Sequence, residues 1–182
     1  MARYRRRRYY KRKSGRWSAN IQEISSDIVN AVSGANYSST VLAFNPLQTN
    51  TATSQVYTVK NFEISFTFES PADVIENIED ITAYIMFVPQ GMTITASYNN
   101  QHPEYIMAYK YIGSPIISYP SSSSANETQQ FQPIKVRTRM ARRLNTGDSV
   151  ILFIKYNNQS TSPITGAVSE IHGLVRWWTK AN

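Results

Sequence analysis

The chain has 182 residues, with 19 Lys and Arg against 12 Asp and Glu, a formal charge of +7, and no cysteine. The missing cysteines exclude disulfides, thiolate metal sites and cysteine nucleophiles. No apolar run approaches the roughly 20 residues of a membrane helix, so membrane insertion is not expected, and the basic N-terminus lacks the apolar stretch of a secretory signal.

The charge is unevenly placed. Residues 1–16 carry nine basic residues and no acid: Arg3, Arg5, Arg6, Arg7, Arg8, Lys11, Arg12, Lys13 and Arg16. Residues 17–182 keep ten basic and twelve acidic residues, a net of −2. Like-charge repulsion and the lack of aliphatic residues predict a disordered arm over 1–16. Tyr4, Tyr9, Tyr10 and Trp17 are interleaved with the cations. Guanidinium forks pair with phosphate, and aromatic faces stack on unpaired bases at about 1–3 kcal/mol each. The arm therefore reads as a tether for single-stranded nucleic acid. It offers no aliphatic stripe for a membrane surface. The run Arg5, Arg6, Arg7, Arg8, Lys11, Arg12 and Lys13 also fits a nuclear localisation signal.

The body, residues 17–182, reads as one domain. Ile21, Ile24, Ile28, Val29 and Val32 fall at helical spacing, and Asn20 with Glu23 could cap a helix. Their β-branched character favours an extended segment instead. Residues 39–44 are a weaker strand candidate. Over 61–69, Phe62, Ile64, Phe66 and Phe68 alternate with polar residues, a half-buried strand. Ser70, Pro71 and Asp73 predict a helix start and a short helix to about residue 80. Residues 81–88 read as a strand closed by Pro89, Gln90 and Gly91. Weaker strands are expected over 93–98 and 105–112. Residues 113–133, with Pro115, Pro120 and Pro133, read as a long surface loop.

Ile134, Val136, Thr138 and Met140 alternate with Lys135, Arg137 and Arg139, predicting a strand with one cationic face. Arg142 and Arg143 extend that cluster, a second candidate phosphate-binding surface or an ordinary solvated face. Asn145 to Asp148 reads as a hairpin turn. Residues 150–154 are continuously apolar, predicting a strand covered on both faces. Over 171–178, Ile171, Gly173, Val175 and Trp177 share one face, and His172, Leu174, Arg176 and Trp178 the other. About eight strands in one body suit an all-β two-sheet sandwich or jelly roll.

No constellation for catalysis or for a cofactor emerges. His102 and His172 lie far apart and in no metal-ligand spacing. Asp73, Glu76, Glu79 and Asp80 lack the spacing of a calcium loop and read as a solvated or inter-subunit patch. There is no phosphate-cradling glycine loop and no nucleophile elbow.

Three passages carry a resemblance. They are Ala2-Arg3-Tyr4-Arg5-Arg6-Arg7-Arg8-Tyr9-Tyr10-Lys11-Arg12-Lys13, the stretch from Thr138 to Val150, and the closing Gly173-Leu174-Val175-Arg176-Trp177-Trp178-Thr179-Lys180. An arginine- and tyrosine-rich arm running into an all-β body resembles the capsid proteins of small circular single-stranded DNA viruses, the circovirus-like, Rep-encoding group. The resemblance implies a single eight-stranded jelly roll and a homo-oligomer closing a small icosahedral shell. It also implies interior arms on a single-stranded DNA genome, nuclear targeting by the arm, and a location in the virion and the host nucleus. RNA is the other candidate genome, and the host receptor is unknown. The competing readings are a cellular nucleic-acid-binding protein of ribosomal type with a basic tail, and a β-sandwich enzyme acting through carboxylates.

Overall fold

The computed structural model describes residues 16–29, 35–45, 56–71, 78–113, 128–130, 133–158 and 168–181. Ten strands follow in chain order. They are β1 (Ser18–Val29), β2 (Ala35–Phe44), β3 (Tyr57–Pro71), β4 (Ile78–Val88), β5 (Ile106–Gly113), β6 (Thr128–Gln130), β7 (Ile134–Arg137), β8 (Ala141–Leu144), β9 (Ser149–Asn158) and β10 (Val168–Ala181). All of their pairings are antiparallel.

One sheet runs β1-β10-β3, with β6, β7 and β8 all pairing with β3. The other runs β2-β9-β4-β5. The registers Pro71↔Thr128, Phe66↔Ile134 and Tyr57↔Leu144 show that β6, β7 and β8 form one interrupted partner of β3. Counted as one, they reduce the fold to eight strands, ordered 1-8-3-6 and 2-7-4-5. The chain crosses from sheet to sheet at every connection except β4 to β5. That winding is a jelly roll.

Period-two alternation supplies the core. Phe62, Ile64 and Phe66 of β3, Ile81, Ala83 and Ile85 of β4, Leu152 and Ile154 of β9, and Ile171, Val175 and Trp177 of β10 are buried between the sheets. The Trp177 indole stacks on Phe62 at 6.1 Å and meets Phe44 at 5.3 Å.

The apolar run of β9 is covered on both faces, as its sequence predicts. Ile151 and Phe153 point away from the main core and join Met86, Val88 and Tyr98 in a second cluster. Residues 92–105 close that cluster, with Met92, Ile94 and Tyr105 packed on it. The Tyr98 hydroxyl donates to the Phe87 carbonyl at 3.3 Å. Burial, with Tyr105 and Glu104 nearby, pushes the Tyr98 phenol up to about 12.

Residues 18–29 are extended, as their β-branched character predicts: β1 pairs with β10 along its whole length and places Ile24 in the core. Elsewhere the structure corrects the sequence-based expectations. Ser70 and Pro71 end β3, and Ile78 already opens β4, so no helix starts at Ser70; residues 72–77 lie outside the described residues. Residues 93–98 form no strand. They lead through a turn into one helical turn, α1 (Tyr98–Gln101), followed by a 3-10 turn at Pro103–Tyr105. The long loop over 113–133 contains β6, and its other residues are mostly outside the described set.

The cationic strand breaks after Arg137. Asn61 sits at φ 53°, and the register of β3 against β10 slips between Arg176 and Trp178. Opposite this bulge, the Thr138 N–H donates to the Phe62 carbonyl at 2.9 Å, and the Met140 N–H donates to the Thr138 hydroxyl at 3.0 Å. The extra residue belongs to β3, where burial passes from Val59 to Phe62, while Met140, in the break between β7 and β8, faces outward at 46% exposure.

The turn at Asn145 exists, but it is not a hairpin turn. It carries the chain from β8 in one sheet to β9 in the other. The buried Asp148 carboxylate holds it, accepting from the Asn145 N–H at 2.7 Å and from the Gln90 N–H at 3.0 Å. It thereby ties this corner to the turn after β4. Asp148→Ala strips the acceptor from two backbone donors. It should cost about 2–4 kcal/mol, read as a lower denaturant midpoint at unchanged slope.

Candidate nucleic-acid interface

Of the sequence-predicted arm, Arg16 and Trp17 are described; Arg3, Tyr4, Arg5, Arg6, Arg7, Arg8, Tyr9, Tyr10, Lys11, Arg12 and Lys13 lie outside the described residues. Arg16 is exposed. Lys60 places its ammonium 4.0 Å from the centre of the Trp17 ring, a cation–π contact that holds Trp17 against β3. Ser18 then pairs with Thr179, and Ala19 with Trp178.

Trp17 thus lies at one end of the β1-β10-β3 sheet. The outward side of this sheet is built by alternation. Phe62, Ile64, Ile134, Val136 and Thr138 turn inward, so Glu63, Lys135, Arg137 and Arg139 turn outward. On β10, Val175 and Trp177 turn inward and Arg176 and Trp178 outward. The register places Arg176 opposite Glu63, and Glu63 opposite Arg137. Lys60 sits opposite Trp178, and Arg143 opposite Thr58. The cations of four strands thus converge towards the end of the sheet that holds Trp17 and Ser18.

Their partners differ. The Glu63 carboxylate meets Lys135 Nζ at 2.7 Å and Arg137 Nη1 at 3.6 Å. The hydrogen bond from Lys135, and the charges of Lys135 and Arg137, hold the Glu63 carboxyl below its usual value of 4.5 against an opposing effect of burial. Arg139 has no partner among the described residues and is exposed. The Arg176 guanidinium lies 4.7 Å from the centre of the Trp178 ring. Arg142 leaves this face. It reaches the end of the other sheet, over the Phe87 ring at 5.2 Å, and donates to the Glu104 carbonyl at 2.6 Å. Alternation along β8 sets Arg142 opposite buried Val59 and on the other face from Arg143.

Between these strands lies an open depression of about 320 Å³ lined by Asn61, Glu63, Arg137, Thr138, Arg139 and Trp178. Sequence reading found Lys135, Arg137 and Arg139. It missed Lys60, Asn61 and Arg176 as parts of the same surface. The signal for Arg176 was present, since it shares a strand face with Trp178, but only the register brings that face beside β3 and β7.

The other polar candidates are elsewhere. His172 bonds Glu170 at 2.8 Å, and His102 approaches Glu104 at 3.4 Å and stacks near Tyr98 and Tyr105. Asp80 accepts from the Tyr111 hydroxyl at 2.8 Å; Asp73 and Glu76 lie outside the described residues. Among the described residues no three histidine or acidic side chains converge as metal ligands.

No protein-family model matches the chain, and no curated protein does. Among solved structures, a chain of Desmodium yellow mottle tymovirus is similar at 16% identity and a TM-score of 0.39, over 89% of this chain and 86% of that one. A chain of turnip yellow mosaic virus is similar at 14% identity and a TM-score of 0.37, over 87% of this chain and 92% of that one. A chain of infectious bursal disease virus, Gt strain, is similar at 8% identity and a TM-score of 0.26, over 90% of this chain and 41% of that one. The jelly-roll assignment stands on the strand order and registers given above.

The Glu63 pair makes a testable prediction. Glu63→Gln frees Lys135 and Arg137 for phosphate. Affinity for a single strand should rise, and the log–log salt slope should steepen by about 0.7–1.4, one or two added contacts. Titration by fluorescence anisotropy across salt concentrations reads both. The stabilisation from this carboxylate is present above pH 4.5 and is lost as pH falls through its lower folded-state value. Glu63→Gln should flatten that part of the acid limb of the stability curve.

Proposed function

We propose that this protein is a structural shell subunit of a small virus, packaging a single-stranded nucleic acid through its basic N-terminal arm. The observation that carries this reading is the placement of charge. A body of net −2 meets a nine-cation arm at the end of the sheet where Lys60, Arg137, Arg139 and Arg176 converge. A near-neutral body lets copies associate without mutual repulsion, while the arms condense an anionic polymer. In this reading the outward side of the β1-β10-β3 sheet faces the genome. The arm and the closing Gly173–Lys180 passage favour a circovirus-like single-stranded DNA virus. The run from Arg5 to Lys13 then serves as the nuclear address before assembly. The subunit acts by binding and assembly and not by catalysis.

The basic sheet face also favours the second reading, a cellular nucleic-acid-binding protein with a basic tail. Nuclease protection separates the two. Full-length protein mixed with single-stranded DNA should shield the strand from nuclease inside a closed particle. Tight binding that leaves the strand fully digestible would decide for the cellular reading.

A further inference from the structure

The depression beside the arm exit combines three chemistries that single-stranded nucleic acid uses. Trp178 is half-buried on its wall and offers an aromatic plane. Arg139 is exposed and without a partner among the described residues, so its guanidinium is free to take phosphate oxygens, while Arg137, also exposed, shares Glu63 at 3.6 Å and adds a second cation beside it. Asn61 lines the depression between them. Asn61 is fixed there by a left-handed backbone, φ 53°, at the bulge. A non-glycine residue in that region is strained and is often kept where it aims a side chain.

We infer that this depression is a nucleotide subsite, receiving one base of a bound strand against Trp178 and its phosphate on Arg137 and Arg139. The inference rests on the packaging reading and adds to it a base-sensing position on the folded body. The location supports a strand over other anions. Ala19 pairs with Trp178, so a strand gathered by the arm passes the subsite directly. A volume of about 320 Å³ suits one nucleotide and not a duplex. Arg176, stacked over the indole, fixes the ring and adds a cation beside it.

The arm binds any polyanion, so the test must hold charge constant and vary the bases. Full-length protein is titrated with a 12-nucleotide DNA strand and with an abasic deoxyribose-phosphate strand of equal length. The wild type should prefer the base-bearing strand, and Trp178→Ala should cut that preference by about 5- to 100-fold, the range for one lost stacking contact. Trp178→Phe keeps an aromatic plane and should retain most of it, with circular dichroism reporting that each variant is folded. Arg139→Ala should weaken both strands equally. A preference unchanged by Trp178→Ala overturns the subsite while leaving packaging intact. Failure of the wild type to bind either strand overturns packaging itself. Trp178-dependent binding of a sulfated oligosaccharide, with no preference for bases, assigns the depression to a glycan and overturns the proposal.

Discussion

Deleting residues 1–16 should lower affinity for single-stranded DNA by about 10³- to 10⁵-fold at low salt while leaving the fold intact. The arm contributes nine of the 19 basic residues and none of the described core. If each cation neutralises one phosphate of a single strand, the full chain should show a log–log salt slope of about −6. What remains is a partly neutralised face. Lys135 and Arg137 share Glu63, while Arg139 and Arg176 have no acid partner among the described residues. Its slope should fall to about −2. Thermal unfolding should be unaffected, because the Lys60 contact to Trp17 and the pairing of Ser18 with Thr179 both lie beyond the deletion. A truncated protein that binds within tenfold of the full chain would move the binding function into the folded domain.

The largest stability loss is expected at Gly173. It lies in β10 between Ile24 of β1 and Phe66 of β3. A Cβ placed there would stand 2.3 Å from the Ser65 carbonyl oxygen, 2.7 Å from the Phe66 Cβ and 2.8 Å from the Phe66 Cα. Two of these are backbone atoms, so no side-chain rotation relieves the clash. The β3–β10 pair must separate, and it is the central seam of its sheet. Gly173→Ala should cost about 3 kcal/mol or more, above the common range for overpacking. Denaturant unfolding measures it. A loss below about 1 kcal/mol would mean that the strands shift freely at this point.

Much of the fold is legible where one face of a strand is buried. Phe62, Ile64 and Phe66 announce β3, and Ile171, Val175 and Trp177 announce β10, because period-two burial writes itself into the residues. The continuous run from Val150 to Ile154 even announces the second layer that covers Ile151 and Phe153. The misreadings occur where tertiary pairing decides. Asn145 to Asp148 encodes a chain reversal, but nothing local says that β8 and β9 belong to different sheets. Ser70 and Pro71 carry a helix-start signal that pairing with β6 overrides. The break after Arg137 depends on the left-handed Asn61, some seventy residues earlier in the chain. The same limit applies to the interface. Lys135, Arg137 and Arg139 are visible as a cationic stripe, whereas Lys60, Asn61, Arg176 and Trp178 join them only through register.

If the body assembles and the arm binds, negative-stain electron microscopy of purified full-length protein, at several salt concentrations, should show closed particles of uniform diameter. A protein that stays monomeric at every concentration and salt level would contradict it.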